Sequence, residues 1–75
     1  MEKNIPEGRK KFAARLRELR KKKKWTQKEL ADRAKINVRH IQRLEGLKPS
    51  AVELDSIIKI ARAFKITSSN LLSSL

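Results

Sequence analysis

The side chains in this sequence that could do chemistry are almost all cations. Twenty Lys and Arg stand against eight Asp and Glu, with one His and no Cys, for a net charge of +12. His40 alone cannot build a His-rich metal site, and there is no thiolate to hold zinc or an iron–sulfur cluster. No nucleophile–base set and no phosphate-binding glycine loop can be assembled from these residues, so neither an enzyme, a cofactor nor a small-molecule substrate is expected. What so many cations can do is neutralise a polyanion. Their placement sharpens the point: residues 1–49 carry 17 basic and 6 acidic side chains, net +11, whereas residues 50–75 are net +1. Ten of the cations fall between Arg9 and Lys24, ending in the run Lys21-Lys22-Lys23-Lys24. Attraction to the carbonyl end of a helix accounts for one or two of those lysines, not for the whole excess. On charge alone, RNA, DNA and anionic lipid all remain open.

The elements that must position these cations read as helices. A chain of 75 residues allows one domain with a small core, burying about 60% of its unfolded surface. The reading is a tail at residues 1–5 and one domain over 6–75. No apolar run nears the roughly 20 residues that span a bilayer, and the start lacks a signal peptide's apolar stretch. No membrane partner is expected, and a cytoplasmic site of action is. Pro6 suits a first helical turn, and Phe12, Leu16 and Leu19 repeat at helical spacing along a helix reaching about Lys23. Thr26-Gln27-Lys28-Glu29 is a capping box opening a second helix to about Ala34, with Trp25 before it as a packing residue. Asn37 caps a third helix, Val38 to Glu45, stopped by Gly46. Ser50-Ala51-Val52-Glu53 reads as another capping box for a fourth helix, whose apolar stripe is Leu54, Ile57, Ile58, Ala61 and Phe64. Thr67 caps a short fifth helix carrying Leu71, Leu72 and Leu75. With no strand alternation, the fold class is all-α, a five-helix bundle.

The second and third helices are each about eight residues, too short to stand alone. Only Lys35-Ile36-Asn37 joins them, which is the outline of a helix-turn-helix. From Thr26 to Glu45 the chain resembles the phage repressor and Cro-like family, with its Thr/Ser-Gln-x-x-Leu-Ala opening and its Ile and Leu/Ile-Glu close. The resemblance continues through Leu16-Arg17-Glu18-Leu19-Arg20 upstream and Ile57 to Phe64, Ile66-Thr67 and Leu71 downstream. It implies a lambda repressor-like DNA-binding domain, and hence a sequence-specific transcriptional regulator, most simply a repressor, bound to double-stranded DNA. Lys35 and Lys65 depart from the family by standing where glycine is usual, at a conformational cost.

Arg20 follows Leu16 by four residues and lies at the edge of the first helix's apolar stripe; Glu45 follows Ile41 by four at the inward edge of the third. An unpaired charge at either place is expensive, so the two are expected to form a buried ion pair. The resemblance implies the same pairing.

At about 100° per residue, Arg39 and Arg43 point away from Ile41 and form an outer ridge on the third helix. Arg can bond both O6 and N7 of guanine in the major groove. The candidate base readers are Arg39 and Arg43, then Gln42, with Asn37 and Val38 at the helix start. Candidate phosphate contacts are Gln27, whose matching residue in relatives does this, with Lys28, Lys35, His40 and Lys48. Such contacts set affinity and register rather than sequence preference. One module covers a half-site, so the resemblance implies a homodimer, and Leu71, Leu72 and Leu75 are its candidate contacts. The alternative is a protein-interaction or antitoxin-type module on the same fold; the outward arginines argue against it.

Overall fold

The computed structural model describes residues 6–46 and 49–73, and five helices form among them. They are α1 (Glu7–Lys22), α2 (Gln27–Ala34), α3 (Val38–Glu45), α4 (Leu54–Phe64) and α5 (Ser68–Leu71). No strand occurs among the described residues. Each helix sends apolar side chains to one core: Phe12 and Leu16 from α1, Leu30, Ala31 and Ala34 from α2, Ile41 and Leu44 from α3. Ile60, Ala61 and Phe64 from α4 and Leu71 from α5 complete it. Ala31 is 1% exposed; a larger side chain there would meet the packed core directly.

Short helices need defined ends, and this chain uses one ending three times. Lys24, Lys35 and Lys65 all take the left-handed conformation, with φ of 60°, 59° and 58°. In each case the next amide reaches back to a carbonyl five residues earlier: Trp25 to Arg20 (3.1 Å), Ile36 to Ala31 (2.9 Å) and Ile66 to Ala61 (3.0 Å). This is the Schellman closure, and its following apolar residue packs inward, as Trp25, Ile36 and Ile66 all do against the core. The third residue of each unit then opens the next helix. The Thr26 hydroxyl accepts from the Glu29 N–H, the Asn37 carboxamide oxygen from the Arg39 N–H, and the Thr67 hydroxyl from the Asn70 N–H. The repeated triplet of lysine, apolar residue and cap therefore closes one helix, anchors the corner and starts the next. At Thr26 the cap is reciprocal, with the Glu29 carboxylate accepting from the Thr26 N–H at 2.7 Å.

The segment before α4 departs from expectation. Ser50 does not cap that helix. Its N–H donates to the Arg43 carbonyl (3.3 Å), tying residue 50 to the end of α3. Residues 51–53 carry no regular structure, and α4 starts at Leu54 after an extended Glu53 that makes no side-chain cap. The face of α4 is also rotated from the expected stripe. Ser56, Ile60, Ala61 and Phe64 are buried, while Leu54 is 71% and Ile58 38% exposed. Aromatic stacking accompanies this setting: the Phe64 ring lies 5.2 Å from that of Trp25, with 15° between their planes. At the far end, the Arg15 guanidinium donates to the carbonyl and the side-chain oxygen of Asn70 (3.1 and 2.9 Å), fastening α1 to α5.

Candidate nucleic-acid interface

The inner face of α3 is held by a polar knot as well as by Ile41 and Leu44. Glu45, 5% exposed, receives Arg20 through Nε on Oε2 at 2.9 Å and Nη2 on Oε1 at 3.0 Å. The Gln27 amide donates to Oε1 at 3.1 Å. The remaining Arg20 nitrogen, Nη1, donates to the Trp25 carbonyl at 2.9 Å, so all three nitrogens of that guanidinium are engaged. Arg17 donates through Nη1 to the Glu45 main-chain carbonyl, satisfying an end group of α3. α1, α2 and α3 thus converge on one carboxylate, and the rotation of α3 about its axis is determined by it.

With Glu45 turned inward, Arg39, Gln42 and Arg43 are exposed on the opposite face of α3. Arg39 and Arg43 form a ridge one turn apart, and among the described residues neither engages a carboxylate or a hydrogen-bond acceptor through its side chain. Asn37 is exposed, but its oxygen is committed to the Arg39 N–H at 2.8 Å, leaving only its amide nitrogen for another partner. Val38 is half-buried and packs against the core.

The expected phosphate contacts divide into distinct settings. Lys28 and Lys35 are exposed. Lys28 Nζ lies 3.5 Å from the Asp32 carboxylate in a solvated pair, which contributes well under about 1 kcal/mol and is easily exchanged for another anion. Gln27 is half-buried and spends one N–H on Glu45, so its side chain serves the knot. His40 turns sideways: its Nε2 lies 3.2 Å from the Ser56 hydroxyl, joining α3 to α4. Lys48 and Leu75 lie outside the described residues.

The expected dimer contacts need correction at Leu71, which is fully buried in the core and unavailable to a second subunit. Leu72 is half-buried against the same core. Among the described residues the large apolar side chains left exposed are Leu54 and Ile58.

Two internal contacts of the site escaped the sequence reading. Arg17 carried a signal, since it lies three residues before Arg20 and so on the same side of α1. Arg33, whose guanidinium sits 4.5 Å over the Trp25 ring, carried none, because Trp25 precedes α2 and Arg33 lies near its end, and only the folded chain brings them together.

A short helix locked by its inner face, cationic on its outer face and preceded by a tight turn from a second helix defines a DNA-binding helix-turn-helix protein. The chain belongs to the helix-turn-helix family of Cro/C1 type, whose model matches residues 16–71. Among solved structures it is similar to a hypothetical transcription factor from Neisseria, at 28% identity and a TM-score of 0.77, over 96% of this chain and 78% of that one. No match was found among curated proteins. The protein is a DNA-binding transcriptional regulator. Among the described residues no helix is long and apolar enough to cross a membrane.

Proposed function

We propose that this regulator is a repressor that binds a palindromic site as a homodimer and reads each half-site with α3. Arg39 and Arg43 contact guanines in the major groove, Gln42 and the Asn37 amide nitrogen contact neighbouring base edges, and Val38 meets a thymine methyl. Lys28, Lys35 and Lys48 bind phosphates, and Gln27 and His40 supply weaker backbone contacts while keeping their internal partners. Promoter occlusion is the simplest consequence of such binding. The observation that carries this reading is the outward pair Arg39 and Arg43 on a helix whose opposite face is locked through Glu45. A dimer on half-sites about 34–36 Å apart needs a two-fold surface. Leu54 and Ile58, exposed on α4, supply its apolar residues, together with Leu72 and Leu75 as read from the sequence.

Selection of bound sequences from random duplex DNA at two salt concentrations tests this. Enrichment of a palindrome, with Arg39→Ala relaxing one position in each half, supports direct readout. Salt-sensitive binding without enrichment overturns it.

A further inference from the structure

A second cationic surface lies away from the α3 ridge. Arg33 and Lys35 from the end of α2 and Lys59 and Arg62 from α4 rim a cleft of about 170 Å³ floored by Ala34 and Ala63. All four cations are exposed, and among the described residues none of them forms an ion pair. The Arg33 guanidinium sits 4.5 Å over the Trp25 ring, which itself stacks on Phe64, so one wall is braced. Lys59 and Arg62, three residues apart on α4, form the other wall one helical turn long. Four unneutralised cations around an apolar floor have a self-repulsion that an anionic occupant relieves.

Size and position choose the occupant. The cleft is smaller than the roughly 300–1,000 Å³ of sites that engulf a small molecule, and suits one or two side chains of a larger body. Arg33 lies six residues after Gln27, about 120° round α2 from the side that meets Glu45 and α3. DNA seated on α3 therefore leaves this flank of α2 open. A bare phosphate backbone has nothing to place on the alanine floor, whereas an acidic protein segment does.

We propose that this cleft docks an acidic amphipathic segment of a partner protein, with carboxylates one helical turn apart flanking an aliphatic residue, while α3 holds DNA. It goes beyond the operator reading above and needs only that DNA occupy α3. The carboxylates pair with Lys59 and Arg62 on one side and Arg33 on the other, Lys35 at the rim being left to its phosphate, and the aliphatic side chain covers Ala34 and Ala63.

The probe is a short helical peptide with glutamates one turn apart around a leucine, and its glutamine counterpart as control. Trp25 is the protein's one tryptophan and lies under Arg33, so its fluorescence reports the cleft. The glutamate peptide is expected to shift that emission saturably, with and without bound duplex DNA, and the glutamine peptide to leave it unchanged. Lys59→Gln with Arg62→Gln, both at exposed positions, is expected to weaken the peptide roughly tenfold or more. The same variant should keep its circular dichroism and the salt slope of DNA binding. A fall of about one or two in that slope assigns the cleft to DNA phosphates and overturns the proposal. Peptide binding indifferent to the double substitution, or competitive with DNA, overturns it as well. A protein that takes the peptide at the cleft but selects no DNA sequence would refute the operator reading alone.

Discussion

Arg20 grips Glu45 in two parallel hydrogen bonds of 2.9 and 3.0 Å, although 25 residues separate them in the chain. The Glu45 side chain is 2% exposed and that of Arg20 14%, so water replaces little of the contact if one partner is lost. Gln27 and Arg17 complete the arrangement from α2 and α1. Because Glu45 ends α3, the same pair that supports the fold sets the angle at which Arg39 and Arg43 leave it.

Glu45→Ala is expected to cost about 3–5 kcal/mol, since it strands the Arg20 guanidinium in a mostly buried site. That is a large share of what a domain of this size has to lose. Urea melts of Glu45→Ala, Arg20→Ala and the double variant check it. The double variant should cost less than the sum of the singles, and an unchanged midpoint for Glu45→Ala would contradict the burial of the pair.

Arg39→Ala is expected to lose about 1–3 kcal/mol of discrimination at one base pair per half-site, with thermal stability unchanged because its side chain is exposed. Lys28→Ala should instead weaken all sequences alike and lower the salt slope by about one. Binding isotherms on selected and scrambled duplexes at several salt concentrations separate the two. A uniform loss for Arg39→Ala would assign it to phosphate.

Lys65→Gly is expected to stabilise the protein by about 0.5–1 kcal/mol, a rise in melting temperature of a few degrees. Lys65 has φ 58°, a conformation glycine adopts without the Cβ clash. Its N–H already bonds the Arg62 carbonyl at 3.0 Å, so the backbone geometry stays as it is. Calorimetry of Lys65→Gly beside Lys65→Ala tests the cause: alanine should give no comparable gain.

Leu54→Ser with Ile58→Asn is expected to abolish self-association with little change in the fold, because both side chains meet solvent in the monomer. Leu71→Ala, in contrast, should cost about 2–5 kcal/mol by opening a core cavity. Sedimentation equilibrium paired with thermal melts distinguishes them. Dimerisation untouched by the α4 substitutions would place the two-fold contact elsewhere.

Much of the architecture was legible along the chain. The Thr26, Asn37 and Thr67 caps depend on neighbours within three residues, and α2 and α3 begin where those caps place them. Arg39 and Arg43 could be assigned to an outer face because Ile41 and Leu44 mark the inner one at helical spacing. Trp25 reads as packing from its place before the cap, and it lies against the core. Ser50 misled: its Ser-x-x-Glu pattern satisfies the local rule, but its amide is drawn to the Arg43 carbonyl across the loop.

Local chemistry thus set where α2, α3 and α5 begin, how three helices close at lysine and which side of α3 carries its cations. Those are matters of hydrogen bonds and periodicity within a few residues. The direction α4 faces was decided only by assembly. Its Leu54, Ile57, Ile58, Ala61 and Phe64 offered a plausible stripe; the helix kept Ala61 and Phe64 inward but added Ile60 and left Leu54 and Ile58 in water. Phe64 stacks on Trp25 and Ser56 meets His40, contacts that span 39 and 16 residues and exist only once α2 and α3 are in place. A stripe with several apolar flanks has more than one register, and the shape of the surface it packs against selects among them.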